Sequence, residues 1–391
     1  MKRFTAASIV FSSESSASSV LSVSRAWLAR VTVALLFLSN PLALGGQPAQ
    51  VAAPSYTAAT TKPRTKAEVE AAIAWAGANA PDWYKTTPLN YPKTLDLTWM
   101  KPPPNTPWTP AKYLLHYMWS VINENPGKWK EGARLLHNTL EVNKADTEKL
   151  KQSMAALGTL YHNLLQDYAR AAFWWRKAGY DVDEELADCY WRLGCKEMAK
   201  DVLLKYGDDD TRHGSLIKLW ADMGETETAL KLAETKAQDG EPAIGWLMAG
   251  EACRVAGRYK EALAYYEKTA AVPGEDKGDL KQSRERAKAS IEAVKVFDLL
   301  DLKRIPDGTY TGSSYGYAGP LNLAVTVRDH RIQAVNVRQH QEKQPYNALT
   351  ETPSRIIEKQ SVKGIDTYSS ATITSEAIIN ATAKALSSGM K

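Results

Sequence analysis

The sequence predicts a multidomain chain in which an all-α helical array precedes a small α+β domain. All twelve Trp lie between Trp27 and Trp246, although the chain continues to residue 391, which indicates two differently built regions. Glycine and alanine recur at nearly constant spacing in the middle of the chain, which is typical of stacked helix hairpins. From Leu321 to Val327, apolar and polar residues alternate, which is typical of strands with one buried face.

Composition and charge narrow the class of protein. Hydrophobic residues make up 44% and charged residues 24%, as in ordinary folded proteins, and 391 residues suit two to three domains. The formal net charge is +5. Most of this excess lies in Lys2, Arg3, Arg25 and Arg30, which Glu14 partly offsets. Nucleic-acid binding needs a concentrated basic face, so we expect no nucleic-acid partner.

Residues 1–46 are predicted to be a signal peptide. Arg25 and Arg30 precede the apolar run 31–38, and small residues follow to Gly46. This order is typical of secretory signals, and the run is too short to span a bilayer comfortably. We expect cleavage between Ala43 and Ala53 and export to the periplasm or the outer face of the cytoplasmic membrane. The alternative is a retained anchor, which would make the protein membrane-associated.

Two segments lead from the signal to the array. Residues 47–66 are rich in Ala, Thr and Pro and are predicted to be a linker. Residues 67–110 form a segment rich in Pro and Trp, which we call the strap. Its first part, Lys66 to Ala78, has helical spacing, whereas the eight prolines from Pro81 to Pro110 exclude a regular helix. We expect an extended chain lying over a hydrophobic surface; a recognition surface is the alternative.

Residues 111–300 are predicted to form the helical array. Four alanines occupy equivalent positions in a common frame of repeats: Ala171, Ala199, Ala229 and Ala262. Each of the last three follows a glycine by five residues, and these glycines are Gly194, Gly224 and Gly257. A glycine that ends one helix, followed by an alanine that allows close packing in the next, predicts helix hairpins. The polar segment Leu280 to Leu300 is predicted to be a further helix.

Two stretches of the array resemble tetratricopeptide and Sel1-like repeats. These are Leu157-Gly158-x-x-Tyr161 with Ala171-x-x-Trp174-Trp175, and residues 256–263. The resemblance implies a groove that docks a peptide or protein partner. The alternative is that the large aromatic residues only fill space beside the alanines.

Residues 305–388 are predicted to form the α+β domain. Leu321 to Val327 and Ile332 to Val337 form a hairpin with Leu321, Leu323, Val325 and Val327 on its buried face. Pro353 to Gln360 is a short helix with Ile356 and Ile357 facing inward. A second helix begins near Thr374, with Thr374 or Ser375 as its N-cap, and ends at Gly389. The glycines at 308, 312, 316 and 319 suit turns and close packing better than a phosphate loop.

A hydroxyl-rich stretch, Asp366 to Ser375, precedes this second helix. Its side chains and backbone N–H groups lie at the positive end of a helix dipole, which favours a phosphate. The alternative is a loop that only caps the helix.

The order of these elements resembles the FMN-binding domain family, from Asp307–Gly312 through the hairpin and first helix to residues 369–375. That family includes the C subunit of sodium-pumping NADH:quinone reductase and the G subunit of the Rnf complex. Its flavinylation motif is read here as Asp366-x-x-Ser369-Ser370-Ala371-Thr372, with Ser370 where the family has glycine. The resemblance implies FMN joined to Thr372 by a phosphoester. It also implies that further residues surround the cofactor: Asp366, Ser369, Ser370, Ala371, Thr374 and Ser375. It also implies a separate flavin transferase that uses FAD as flavin donor and a divalent metal.

The sequence therefore predicts an exported flavoprotein electron carrier whose array docks unidentified redox partner proteins. The alternative is a repeat scaffold whose C-terminal domain binds FMN loosely or is structural. A third hypothesis is a flavin enzyme that acts on a small substrate.

Tyr315, Tyr317 and Tyr346 are candidates to stack on the flavin or to pack on the sheet. We find no catalytic or metal motif; residues 208–210 are interpreted as a loop. Cys189, Cys195 and Cys253 are interpreted as buried apolar residues, with a Cys189–Cys195 bridge as the alternative.

Overall fold

The computed structural model describes residues 58–179, 184–206, 214–317, 319–342, 347–365, 367 and 371–390. The predicted signal peptide and most of the linker lie outside these residues. Among the described helices, none has both the length and the apolar character that a bilayer crossing requires.

Twelve helices precede the sheet in the part of the chain that the structure describes. They are α1 (Lys66–Ala78), α2 (Leu114–Tyr117), α3 (Trp129–Val142), α4 (Thr147–Leu160), α5 (Tyr168–Ala178), α6 (Glu184–Arg192), α7 (Lys196–Leu203), α8 (Gly214–Asp222), α9 (Thr226–Gln238), α10 (Pro242–Val255), α11 (Tyr259–Ala271) and α12 (Gly278–Phe297). Single π-helical turns extend α2 and α4. The helix predicted at Leu280 to Leu300 is confirmed as α12.

The predicted helix hairpins are confirmed. Helices α4 to α11 pack in four sequential pairs, and α12 packs on α11. The four alanines of the common frame lie in α5, α7, α9 and α11, and each is completely buried. Gly194, Gly224 and Gly257 turn the chain between paired helices with φ of 93°, 78° and 74°, where other residues are strained. The regular alternation of Gly and Ala therefore indicates a stack of closely packed helix pairs.

The strap begins with α1 and continues as irregular chain, as its prolines predicted. Helix α1 has a capping box in which Thr65 and Glu68 satisfy each other's backbone N–H groups. Trp99 is buried and donates from Nε1 to Ser153 Oγ on α4 at 2.8 Å. Asn143, just after α3, donates to the carbonyl oxygen of Leu97 at 2.9 Å. These contacts place the strap over α3 and α4, as expected of an extended chain on an apolar surface.

The C-terminal region is a three-stranded antiparallel sheet with two helices. Strands β1 (Gly308–Tyr315), β2 (Pro320–Arg328) and β3 (Arg331–Gln339) lie in sequence order. The predicted hairpin is confirmed as β2 and β3, and the four apolar residues of its buried face are at most 2% exposed. Ala324, which alternation places on the opposite face of β2, is also buried.

Two helices complete this region, α13 (Ala348–Lys359) and α14 (Thr372–Gly389). Helix α13 begins five residues before the predicted segment and ends one residue before its end, at Lys359. Ile356 is buried, whereas Ile357 is half-buried. Helix α14 packs on β1 and β2. A Cβ at Gly312 would collide with the backbone of Ala381, so the glycine lets strand and helix approach closely. This confirms the interpretation of Gly312 as a close-packing residue.

Helix α14 also packs against the array. Asn380 donates to Ser290 Oγ of α12 at 3.2 Å, and Lys384 pairs with Glu292 at 2.7 Å. Thirteen of the residues of α14 are buried, among them the polar Glu376 and Asn380. The last helix is therefore enclosed by both the sheet and the array.

The three cysteines, Cys189, Cys195 and Cys253, are buried thiols that form no disulfide. Their interpretation as small apolar residues is confirmed.

Candidate functional site

The first turn of α14 positions the residue predicted to carry the flavin. Thr372 is the first helical residue and is half-buried, and Ala371 is the N-cap. Ala371 packs against Ala348 at the start of α13. The first N–H groups of a helix have no intrahelical acceptor, and the helix dipole is positive there. A phosphate on Thr372 would therefore lie at a favourable helix end.

The predicted cap residues have other roles. Thr374 and Ser375 lie inside the first turn rather than at the N-cap, so the predicted cap is wrong. Thr374 is buried and donates its hydroxyl to Glu342, and Ser375 Oγ accepts from the Thr352 hydroxyl of α13 at 3.2 Å. The helix starts earlier than expected because contacts with distant residues use these two hydroxyls. Their role in binding the cofactor stays a prediction.

The remaining predicted site residues are only partly described. Asp366, Ser369 and Ser370 lie outside the described residues, as does Tyr346. Tyr315 is half-buried on β1, and Tyr317 is 50% exposed.

A buried carboxylate joins the β1–β2 connection to α14. Glu342 is 5% exposed, accepts the backbone N–H of Tyr317 at 2.7 Å and accepts the hydroxyl of Thr374. A Cβ at Gly316 would collide with this carboxylate, so a side chain at that position would displace Glu342. Glu342 therefore fixes the sheet edge relative to the start of α14.

Thr372 lines a cavity of about 180 Å³ between the α+β region and the array. The C-terminal side of the cavity consists of Thr367, Thr372, Ile373 and Glu376. The opposite side consists of residues from α8, α10 and α12: Gly214, Ser215, Ile217, Lys218, Ala221, Asp222, Met248, Glu251, Arg254, Val255 and Arg286. Cavities that enclose a drug-sized ligand are about 300–1,000 Å³, so this one suits part of a nucleotide.

Two carboxyl groups and two guanidinium groups form a buried cluster at one side of this cavity. Glu376 of α14 pairs with Arg254 at 3.2 Å and with Arg286 at 3.0 Å, and Arg286 also pairs with Glu251 at 2.5 Å. Burial and the negative charge of Glu376 raise the pKa of Glu251 to about 8. Although burial opposes it, Arg286 and Arg254 hold the pKa of Glu376 below its ordinary value. At neutral pH, Glu251 is therefore protonated and Glu376 is charged.

A second buried hydrogen-bond network connects the array to the predicted flavinylation motif. His162 Nε2 lies 2.8 Å from Asp188 Oδ2, and Asp188 Oδ1 accepts from Arg192 at 3.2 Å. Arg192 also donates to the carbonyl oxygen of Thr367 at 3.2 Å. Although burial opposes it, Arg192 and His162 hold the pKa of Asp188 well below its usual range. The network thus fixes the backbone at Thr367, within the predicted motif, to helix α6.

Further along the cavity, Lys218 of α8 pairs with Asp222 one turn later. Lys218 is largely buried, with 11% of its side chain exposed. Arg286 is mostly buried as well, and its Nε has no hydrogen-bond partner among the described residues. These cationic groups suit a phosphate, so the residues present fit the phosphate end of FMN.

The sequence did not single out the charged residues of the array side or Glu342. A signal was present in α10, where Glu251 and Arg254 stand among Ala249, Gly250, Ala252 and Cys253. Charged residues amid small apolar residues of a helix indicate a buried ion pair. Their partners on α12 and α14 are distant in sequence and could not be assigned.

Within the described residues, no group of His, Cys, Asp or Glu side chains is arranged to hold a metal ion. Residues 208–210 lie outside them.

Comparison with known proteins gives a family for this region. Residues 316–387 match the family model described as an FMN-binding domain. This match supports the predicted FMN-binding domain and a flavin-binding protein. An uncharacterized protein of Treponema pallidum (strain Nichols) is 43% identical over 82 residues, which are 20% of this chain and 22% of that protein. This chain thus spans about a fifth of that relative's length. No solved structure matches. The resemblance of the array to tetratricopeptide and Sel1-like repeats stays a prediction.

Proposed function

We propose that this protein is an exported flavoprotein electron carrier with FMN joined through a phosphoester to Thr372. One observation carries the proposal: within the FMN-binding-domain match, Thr372 begins α14 at the edge of a cavity lined by cationic side chains. Bound FMN would supply one- and two-electron transfer through its isoalloxazine ring. The protein would position the cofactor and set its surroundings.

The first turn of α14 would bind the phosphate of the cofactor. The N–H groups of the first turn of α14 and the helix dipole favour its negative charge. Glu342 fixes this turn through Thr374, and Arg192 fixes the backbone at Thr367. Both contacts are buried, so the attachment segment would be held before the cofactor arrives.

Attachment would be made by a flavin transferase with FAD and a divalent metal. The Thr372 hydroxyl oxygen would form a bond to the phosphorus of the FMN half of FAD. The pyrophosphate bond would break, AMP would leave, and the hydroxyl proton would pass to solvent. Thr372 needs no base of its own, because the transferase would activate it.

We further propose that residues 1–46 direct export and that the array docks the protein partners that donate and accept electrons. Stacked helix hairpins present extended surfaces to other proteins. A membrane-associated position would bring the flavin close to membrane-bound redox partners.

The covalent link is tested by exporting the protein from a host that has the flavin transferase. The denatured protein is then separated on a gel and examined for flavin fluorescence. We expect a fluorescent band that Thr372→Val abolishes. Thr311→Val, an exposed threonine of β1, is the matched control and should leave the band unchanged.

Two outcomes would contradict the covalent assignment: a dark wild-type band, or fluorescence that survives Thr372→Val. Flavin that stays with the native protein but leaves on denaturation would instead support the scaffold with loosely bound FMN.

A further inference from the structure

We infer that the helical array forms one wall of the FMN site, and that Lys218, Arg254 and Arg286 on this wall bind the cofactor phosphate. The inference rests on the proposed function, because it assigns FMN to the cavity at Thr372. It gives the array a part in cofactor binding that is distinct from docking partners.

The composition of the cavity is the first argument. Among the described residues that line it, eleven come from α8, α10 and α12 and four from the region around α14. Any group on the Thr372 hydroxyl that enters this space meets the array. A cavity of about 180 Å³ can hold a phosphate and part of the ribityl chain, which leaves the flavin ring outside it.

Charge is the second argument. Among the described residues, three cations line the cavity, Lys218, Arg254 and Arg286, beside the acidic side chains of Asp222, Glu251 and Glu376. Burial and the charge of Glu376 raise the pKa of Glu251, which favours its neutral form and leaves the cations less compensated. A phosphate would supply negative charge to these cations.

An unused donor is the third argument. The Nε of Arg286 is buried and has no hydrogen-bond partner among the described residues, although the same guanidinium pairs with Glu251 and Glu376. A buried donor without an acceptor is costly, and a phosphate oxygen would satisfy it.

The test compares two flavins that differ only in the phosphate. Full-length protein made without the transferase is titrated with FMN and with riboflavin, and binding is followed by flavin fluorescence. Lys218→Met keeps the apolar stem and removes the charge. We expect it to raise the Kd for FMN roughly tenfold and to leave the Kd for riboflavin unchanged. Lys231→Met, an exposed lysine of α9 outside the cavity, is the control and should change neither.

A second variant covers the case in which Lys218→Met fails to fold because its ion pair with Asp222 is lost. Arg286→Lys keeps the charge beside Glu376 but removes the Nε donor, and it should weaken FMN binding several-fold and spare riboflavin. Equal losses for both flavins, no loss for FMN in either variant, or no binding of FMN to the wild type would overturn the inference. None of these results depends on the covalent link, which the gel assay tests separately.

Discussion

Glu251 and Glu376 share a buried site with two arginines, and their proton count sets its charge. Two carboxylates in contact repel, so one of them retains its proton. The charge of Glu376 is compensated by Arg254 and Arg286, and Tyr266 of α11 lies close enough to interact with Arg254. Breaking a buried pair leaves an uncompensated charge, which is strongly destabilising. The site therefore depends on Glu251 staying neutral.

This predicts a pH dependence of stability that one substitution removes. The pKa of Glu251 rises from 4.5 to about 8 on folding. The folded state then binds more protons than the unfolded state, so stability is full below pH 4.5 and falls as pH rises towards 8. The slope from this group is about 1.4 kcal/mol per pH unit. In urea unfolding at pH 5.5, 7 and 8.5, Glu251→Gln should lose less stability than the wild type.

Glu292→Gln, an exposed carboxylate of α12 with 61% of its side chain exposed, is the control and should follow the wild-type curve. Parallel pH curves for the wild type and Glu251→Gln would contradict the protonated state of Glu251.

At the scale of elements, the contact between β1 and α14 depends on the absence of a side chain. A Cβ at Gly312 would collide with the carbonyl of Ala381 and approach the amide of Ala385, both in the backbone of α14. Backbone atoms cannot move aside as a flexible side chain can. The same helix meets the ring of Tyr310 at Gly389, where a Cβ would also collide.

Gly312→Ala is therefore expected to destabilise the protein by about 1–3 kcal/mol, by forcing strand and helix apart. Without this contact, alanine in a strand would be neutral or stabilising, because glycine loses more conformational entropy on folding. Gly127→Ala meets no atom within 4 Å and is the matched control. Chemical unfolding monitored by circular dichroism measures both. Equal stability of Gly312→Ala and Gly127→Ala would show that α14 moves away from β1 at little cost in free energy, which would contradict the prediction.

The elements that sequence predicted well are those whose signal is local. Alternation identified β2 and β3, and the Gly and Ala spacing identified the hairpins. β1 was not identified as a strand, because Gly308 to Tyr315 has few apolar residues to alternate. The start of α14 was misplaced because Thr374 and Ser375 are typical caps, whereas here they bond to Glu342 and Thr352. Those partners lie more than twenty residues away, and local propensity carries no information about them.

At the scale of the molecule, the array and the α+β region share a buried interface with charges on both sides. Arg192, Arg254 and Arg286 of the array reach Thr367 and Glu376 of the C-terminal region. The sequence predicted the two regions separately, and the site only on the second. A contact between residues 122 positions apart, such as Arg254 with Glu376, leaves no periodic trace in a single chain.

We therefore expect a fragment that begins at residue 301 to be much less stable than the same region in the full chain. It would expose the face of α14 that packs on α12, together with Glu376, which pairs with two arginines of the array. Because Glu376 is then open to water, Glu376→Leu should change the stability of the fragment little. In the full chain the same change should destabilise, because Arg254 and Arg286 lose the carboxylate that pairs with both of them. Thermal unfolding followed by circular dichroism measures both changes; equal changes in the two contexts would contradict the shared interface.

Helix α14 follows in the chain every element that encloses it. The surfaces of α12, β1, β2 and α13 are synthesised before the residues that cover them. A nascent chain that has reached about residue 370 therefore presents an open apolar cleft beside Arg254 and Arg286, which still lack Glu376. Such intermediates are prone to aggregate, and they disappear when the missing helix inserts. Folding of this region is thus completed only after α14 has been synthesised, and slow translation of the codons for α14 would prolong the vulnerable stage.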